Sequence, residues 1–409
     1  MIVIIGGGLV GLSTALFLTD RGDTEVTVVD RGPLGGGAAK GNAGFMCNTL
    51  VGPLAGPGSI STALRSLLDP TGGVRVRPQA IPSMPRWLFH FARASTAKRF
   101  DSSRRSLAGL NDNLDGLLKH LADAGVNVEL SPPMVVPFHD VSFGETFLRS
   151  LHPMRDFGAE LPDSLSSGDE IRKLVPALTD HVKAGFSLPG DRSLDPRHFV
   201  DSLISVLRSR GVTFVENAPI ASIGHSDGRI RFLTTGMGRI EGEQFVIAAG
   251  AGSDQVARHL GLRLAVVPGQ GYNVVLPSTP QLDRPVIVEE VHAVATPLSD
   301  RIRLGGTMEF TGPNSSFDGR RVDAIITSMQ KFFDLEWDKR SETWSGSRPM
   351  SPDGMPLIGR PRNWSNLIIA AGHGMYGLTL APATGLAVSQ LLLDGRAAVD
   401  LTPFDPDRF

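Results

Sequence analysis

The sequence predicts an α/β fold, α+β overall, in which one domain is assembled from separate parts of the chain. Residues 1–18 read as a strand, a glycine turn and a helix, and residues 367–395 repeat this order near the other end. The intervening sequence contains many strand-like segments, typical of a second, mainly antiparallel sheet. The first domain should therefore be discontinuous in sequence.

Composition excludes several classes of protein. The chain has 409 residues, of which 41% are hydrophobic and 20% charged, and a formal net charge of −2. These values are typical of a globular protein and give no field that would favour nucleic acid. The single cysteine, Cys47, excludes an intramolecular disulfide and a cysteine-held iron–sulfur cluster. No histidine or cysteine spacing indicates a metal site, so none is expected.

The opening segment, MIVIIGGGLVGLSTALFL, resembles a membrane anchor or a secretion signal only in its apolarity. No positive charge precedes it, as a secretion signal would require, and three consecutive glycines would weaken a membrane helix. We therefore expect a cytoplasmic protein.

The glycines of this segment have the spacing of a phosphate-binding turn. Gly6, Gly8 and Gly11 fit G-x-G-x-x-G between a β-branched strand and an apolar helix. The first glycine permits the tight turn, the second lets the backbone approach a pyrophosphate, and the third lets helix and strand pack closely. The helix N-terminus then offers unpaired N–H groups to the phosphates.

The following residues extend this interpretation to a whole dinucleotide. The strand EVTVVD ends in Asp30, nineteen residues after Gly11, where a carboxylate can bind ribose hydroxyls. The fingerprint serves both NAD and FAD. The next segment, GPLGGGAAKGNAGFM, favours FAD because it can run beneath an extended cofactor, with Lys40 and Asn42 as polar contacts.

The remaining segments suggest how the two domains alternate along the chain. We assign residues 1–78, 190–264 and 346–409 to the nucleotide-binding domain, and residues 79–189 and 265–345 to a substrate domain. The stretch PRWLFHFARASTAKRF mixes aromatic and basic residues. It can cover a domain or lie on a membrane surface, and both alternatives stay open.

Several motifs together carry a family resemblance that runs nearly from end to end. The chain resembles the FAD-dependent D-amino acid oxidase superfamily, most closely its D-amino acid dehydrogenase branch. The motifs are IIGGGLVGLSTALFL with VTVVDR, GNAGFM, AGPGSISTALRSLLDP, LPGDRSLDPRHFVDSL, VPGQGYNVVLP, RIRLGGTMEFTG, GSRPMSPDGMPLIGR and NLIIAAGHGMYGLTLAPATG.

The resemblance implies roles for particular residues. Arg348 matches the arginine that binds the substrate carboxylate, and Tyr272 matches a tyrosine on the sheet that roofs the flavin. Tyr376 departs from the family pattern; it follows the GHG turn, where it can form a wall beside the flavin and the substrate or serve in packing, and both alternatives stay open. No metal is implied. The residues expected to bind the cofactor are Gly6, Gly8, Gly11, Asp30, Arg31, Lys40, Asn42, Ala43, Gly44, Ile220, Gly250, Gly372, His373, Gly374, Gly377, Leu378 and Thr379.

The implied activity is the oxidative deamination of a D-amino acid, or of a D-proline-type imino acid, with non-covalent FAD. A hydride would pass from the α-carbon to flavin N5, and the electrons would go on to a quinone or another acceptor. Such an enzyme could contact the inner face of the cell membrane peripherally. Two alternatives remain: an oxygen-using oxidase of the glycine or sarcosine oxidase type, and a non-catalytic flavoprotein subunit of an electron-transfer complex.

Overall fold

The structure is a computed structural model that describes residues 1–22, 24–66, 72–312 and 317–409. Its helices are α1 (Leu9–Thr19), α2 (Ser59–Ser66), α3 (Pro85–Ala94), α4 (Ala97–Leu110), α5 (Leu114–Asp123), α6 (Val141–Leu151), α7 (Gly168–Leu174), α8 (Pro196–Ser209), α9 (Ser253–Arg258), α10 (Gly319–Met329) and α11 (Gly377–Leu393). Its strands are β1 (Ile2–Ile5), β2 (Val26–Val29), β3 (Phe45–Met46), β4 (Val74–Val76), β5 (Met134–Phe138), β6 (Ser166–Ser167), β7 (Ala184–Leu188), β8 (Arg192–Ser193), β9 (Thr213–Val215), β10 (Ile220–Ser226), β11 (Arg229–Thr235), β12 (Gly238–Glu241), β13 (Gln244–Ile247), β14 (Val267–Pro277), β15 (Val286–Val288), β16 (Ala293–Pro297), β17 (Arg301–Phe310), β18 (Thr343–Met350), β19 (Leu357–Gly359) and β20 (Leu367–Ala371).

A mainly parallel sheet contains the two ends of the chain, as the sequence predicts. Its strand order is β19-β20-β13-β1-β2-β9, and all neighbours are parallel except β19 and β20. Strands β1, β2 and β20 are buried along their whole length. Burial on both faces explains why their sequences are continuous β-branched and apolar runs instead of alternating ones.

The two faces of this sheet carry different layers. Ile2 and Ile4 of β1 pack with α1, α5, α8 and α11, whereas Val3 and Ile5 pack with β10, β11 and α9. Helices α1 and α11 touch closely, because a Cβ built on Gly385 would lie 2.7 Å from the backbone carbon of Ser13. Only glycine permits this approach.

A second sheet of mainly antiparallel strands forms the other half of the molecule. Its order is β18-β14-β17-β16-β15-β5-β7-β6, with β4 also paired to β17. Helix α10 packs on one face, through Val322, Ile325 and Met329. The opposite face is turned toward the glycine-rich segment, since side chains of β14, β16 and β17 bond to residues 41–43.

The strands of each sheet can be compared with the predicted domain boundaries. All strands of the first sheet lie within residues 1–78, 190–264 and 346–409, the segments assigned to nucleotide binding. Strand β4 and the end of β18 lie in the same segments but belong to the second sheet. The division by domains therefore stays a proposal, with β4 and β18 placed in the substrate domain. Among the residues described, no helix combines the length and apolarity needed to span a bilayer.

Candidate active site

A cavity of about 730 Å³ lies where the carboxyl ends of the parallel strands face the edge of the second sheet. Residues that end β1, β2 and β13 line one side, and residues 344–349 of β18 line the other. Ligands of open parallel sheets bind at these strand ends. The volume is in the range of cofactor and small-molecule sites.

The three glycines of the opening turn have separable structural roles. Gly6 has a φ of +119°, and a Cβ on it would lie 2.3 Å from the carbonyl oxygen of Ala248. A Cβ on Gly11 would lie 2.0 Å from the carbonyl oxygen of Gly6. Gly8 differs, because its backbone is extended and no atom would lie within 4 Å of its Cβ. Gly6 and Gly11 are thus required by packing, whereas Gly8 opens onto the cavity.

Asp30 marks one end of the cavity. Its carboxylate accepts hydrogen bonds from the backbone N–H groups of Gly7, at 2.7 Å, and Gly32, at 2.9 Å. Arg31, Ile220 and Gly250 line the same end. A carboxylate keeps further acceptor capacity after two such bonds, so the arrangement suits the ribose contact predicted for Asp30.

The glycine-rich segment forms the floor of the cavity, but not with every residue predicted. Residues 35–39 and Asn42 line it. Lys40 does not, because its Nζ lies 2.6 Å from Asp201 of α8. Ala43 and Gly44 are also absent from the lining. A carboxylate on α8 binds the ammonium group of Lys40 here, and its contact with a cofactor stays a prediction.

Three side chains of the second sheet hold this segment at three successive carbonyl groups. Nδ2 of Asn273 donates to the oxygen of residue 41 at 2.8 Å, Nη1 of Arg303 to that of Asn42 at 2.6 Å, and Oγ1 of Thr296 to that of Ala43 at 2.8 Å. They come from β14, β17 and β16. These three residues were missed from the sequence, since only the sheet order brings them together.

The last strand and helix supply another wall. His373, Gly374, Gly377 and Leu378 line the cavity, whereas Gly372 and Thr379 do not. The Oγ1 of Thr379 instead donates to the carbonyl oxygen of Phe45 at 3.0 Å. The first N–H groups of α11 have no partner within the helix. They can therefore meet negative charge in the cavity.

His373 is neutral at physiological pH. Burial lowers its pKa from 6.5 to about 3, because the charged imidazole would lose its hydration. Its Nε2 lies 3.0 Å from the Oγ1 of Thr384 in α11. The side chain therefore ties the turn before α11 to the helix, which is a structural role.

Arg348 projects from β18 into the cavity wall. Its Nη1 donates to the carbonyl oxygen of Thr307 at 2.8 Å. Burial lowers its pKa from 12.5 to about 10, so the residue stays charged. No carboxylate among the described residues forms an ion pair with it. The guanidinium is partly buried, and its acceptors, the carbonyl oxygen of Thr307 and the Sδ of Met308 at 3.8 Å, are both neutral, so it can take up an anionic ligand.

The two tyrosines do not have the positions predicted for them. Tyr272 lies on the roofing sheet, but strand alternation points it away from the cavity, toward α10. Its hydroxyl donates to Glu309 at 2.9 Å, and burial raises the pKa of the phenol. Tyr376 donates to the carbonyl oxygen of Leu50 at 2.8 Å and is also absent from the lining. Substrate contact by either residue is therefore not supported.

Other lining residues were missed from the sequence. Trp344, Ser347 and Gln270 line the cavity on the same side as Arg348, and Oγ of Ser347 donates to Oε1 of Gln270 at 3.2 Å. The indole of Trp344 occupies the space in which a Cβ on Gly346 would lie, 2.1 Å from Cη2. The one signal in the sequence was the place of Trp344 and Ser347 near Arg348 in a single strand, whereas Gln270 comes from the neighbouring strand β14.

Comparison with known proteins agrees with this geometry. The model of the FAD dependent oxidoreductase family matches residues 1–391. The chain belongs to this family. It is 32% identical over 400 residues to the D-amino acid dehydrogenase of Rhodopseudomonas palustris, covering 95% of this chain and 93% of that protein. The corresponding enzyme of Methylobacterium nodulans is 31% identical, with 97% and 96% covered.

Solved structures show the same fold. Glycine oxidase from Bacillus cereus superposes with a TM-score of 0.76 at 20% identity, covering 100% of this chain and 98% of that one. L-proline dehydrogenase from P. horikoshii also gives a TM-score of 0.76 at 20% identity, with 100% and 97% covered. The protein is therefore an FAD-dependent oxidoreductase. The open space at Gly8, the carboxylate of Asp30 and the glycine-rich floor fit an extended dinucleotide such as FAD.

We predict that Gly8→Val gives a folded protein that has lost its FAD. The extended backbone accepts valine, and the new side chain would fill the space through which the pyrophosphate approaches. The ratio of flavin to protein absorbance should fall below about a tenth of the wild-type value. Gly11→Val is the contrasting control, because its side chain would meet Gly6 and should lower folded yield. Full FAD content in folded Gly8→Val would refute the assignment.

Proposed function

We propose that the protein oxidises the amine of a D-amino acid, or of a D-proline-type imino acid, to the corresponding imine, which water then hydrolyses to the 2-oxo acid with release of the amine nitrogen from the α-carbon. The observation that carries this proposal is Arg348, a partly buried cation in the cavity wall with which no carboxylate of the described residues forms an ion pair. Its planar fork matches a carboxylate with two parallel hydrogen bonds. The names of the relatives that cover nearly the whole chain support the D-amino acid class.

The residues of the cavity would divide the work of cofactor and substrate binding. We assign FAD to Gly6, Gly8, Asp30, Arg31, Asn42, Ile220, Gly250, His373, Gly374, Gly377 and Leu378, all of which line the cavity or its glycine turn. FAD would be held without a covalent bond, since Cys47 is buried and absent from the lining. Arg348 would hold the substrate on the facing wall.

The chemistry asks little acid–base work of the protein. Bound FAD supplies the acceptor for the hydride that leaves the α-carbon of the amine. Arg348 would fix the carboxylate and so limit where the α-carbon can lie. The N–H groups at the start of α11 would stabilise negative charge that arrives in the cavity. Neutral His373 adds no positive charge that would compete with Arg348 for the carboxylate.

The electron acceptor belongs to the same proposal: a quinone or another acceptor in preference to oxygen. Helix α3 offers a surface for such a partner at a membrane. Its inner face packs through Trp87 and Phe91, while Phe89 is 58% exposed. The guanidinium of Arg93 lies 5.5 Å from the ring of Phe89. Exposed aromatic and basic groups together suit an anionic lipid surface.

Anaerobic reduction by a panel of amino acids tests the activity. We expect the flavin absorbance of the holoenzyme to bleach under argon with one or more D-amino acids and not with the L-enantiomers. Bleaching only by glycine or sarcosine would support the oxidase alternative. The absence of bleaching by any amine would favour the interpretation of the protein as a non-catalytic flavoprotein subunit.

Truncation of Arg348 should discriminate between acids and amides. Arg348→Ala leaves the substrate carboxylate without its partner, which should lower kcat/KM by about two to four orders of magnitude, roughly 3–5 kcal/mol. Arg348→Lys keeps the charge but loses the planar fork, so it should recover only part of the lost kcat/KM. The amide of the best substrate is the control. It should already react poorly with the wild type, and its kcat/KM should fall little further in Arg348→Ala, while FAD content stays unchanged. Equal losses for acid and amide would show that Arg348 is structural.

We also predict that a redox dye supports faster turnover than oxygen does.

The α3 surface can be tested with a quinone in anionic phospholipid vesicles as the electron acceptor. Phe89→Ser should slow turnover several-fold in this assay while the rate with the dye stays constant, because only the vesicle assay needs the α3 surface. Phe143→Ser is a matched control, since Phe143 of α6 is also exposed, at 41%. Peroxide formation at the dye rate would identify an oxidase. Equal rates for both serine variants would remove α3 from the proposal.

A further inference from the structure

Gly271 lies directly under the guanidinium of Arg348. The β14–β18 register pairs Gly269 with Arg348 and Gly271 with Gly346, so these positions share one face of the sheet. A Cβ built on Gly271 would lie 2.4 Å from Cζ and Nη1 of Arg348 and 2.5 Å from its Nη2. Nearly equal distances to three atoms of the group place that point over its flat face. The guanidinium therefore rests on the backbone of Gly271.

A second contact fixes the rotation of the same group. The carbonyl oxygen of Thr307 accepts a hydrogen bond from Nη1 at 2.8 Å. Thr307 has a φ of +58°, which is rare for a β-branched residue. The β14–β17 register shifts between Gln270 and Tyr272, beside this residue. This irregularity frees the carbonyl of Thr307 from regular cross-strand pairing and lets it reach Arg348.

We propose that Gly271 determines specificity for carboxylates by holding Arg348 in its plane. This inference rests on the proposed function of Arg348. A bidentate pair requires the fork and the carboxylate to be coplanar. The backbone of Gly271 sets the plane and the carbonyl of Thr307 sets the rotation, so the free N–H groups of Arg348 meet the ligand without reorganisation. Gly271 is a positioning residue, because it acts through Arg348.

The substitution Gly271→Ala can test this without unfolding the protein. Gly271 is absent from the glycines with positive φ, so alanine suits its backbone. The atoms that a new Cβ would meet are the far end of a flexible side chain. Arg348 should therefore tilt while the sheet stays intact. Gly305 of β17 is a matched control, since the nearest atom to its Cβ would be Val294 Cγ2, at 3.4 Å.

The experiment measures carboxylate binding to the oxidised holoenzyme. Propanoate, which is alanine without its amino group, is titrated while the absorbance of the bound FAD is followed. The same variants are assayed with the best D-amino acid. We expect Gly271→Ala to raise the Kd of propanoate and the KM about tenfold, with kcat within about twofold, because one of two charge-assisted bonds is lost. Gly305→Ala should match the wild type, and FAD content should be equal in all variants.

A double-substitution cycle decides between the possible causes. In an Arg348→Ala background, Gly271→Ala should change neither Kd nor KM, because no guanidinium remains to be tilted. The inference would be refuted if Gly271→Ala raised Kd and KM by the same factor in both backgrounds. It would also be refuted by unchanged Kd and KM in Gly271→Ala, or by an equal rise of both in Gly305→Ala. Wild-type propanoate binding and KM in Arg348→Ala alone would instead refute the proposed function. The two failures are thus distinguishable.

Discussion

The segment from residue 41 to residue 50 is the constraint on which the active site depends, because both halves of the molecule hold it. Three side chains of the second sheet bind the carbonyl groups of residues 41–43. Farther along, the buried carboxylate of Asp191 accepts hydrogen bonds from the backbone N–H groups of residues 48, 49 and 50. Thr379 of α11 and Tyr376, which precedes that helix, bind the carbonyl groups of Phe45 and Leu50. The chain that follows the floor of the cavity is therefore held by both halves of the molecule, and Asn42, which lines the cavity, is fixed by hydrogen bonds to the backbone on either side of it.

A partly buried cation in the cavity wall has a cost for stability. Arg348 loses part of its hydration without a carboxylate to balance it, and the backbone of Thr307 is strained where it meets the guanidinium. Residues held in such conformations cost of order 1–3 kcal/mol each and tend to occur at functional sites. An anionic ligand would offset part of the desolvation cost of Arg348. The protein should therefore be less stable with the site empty than with an anion bound, which is a common compromise between stability and function.

Local patterns predicted the parts of the site that depend on local geometry. The roles of Gly6 and Gly11 follow from their spacing, and their crowded surroundings confirm the need for glycine. The prediction for Tyr272 failed for a non-local reason. Its side-chain direction depends on the phase of β14, and the sequence does not show the irregular pairing with β17. The ion pair of Lys40 could not be predicted for a similar reason, since its partner Asp201 lies far along the chain. The bonds from Asn273, Thr296 and Arg303 depend on the strand order of a whole sheet.

The close approach of α11 to α1 at Gly385 also has a consequence for synthesis on the ribosome. The first sheet needs β13 beside β1 and β20 beside β13, and α1 is covered by a helix that ends at residue 393. During translation the apolar α1, with nine buried residues in the finished fold, must wait for almost the entire chain to emerge. Pairing between distant segments folds slowly and exposes apolar surface in the meantime. The apolar face of α1 should therefore stay uncovered until α11 has left the exit tunnel, and the cavity, whose wall includes the first residues of that helix, is complete only then.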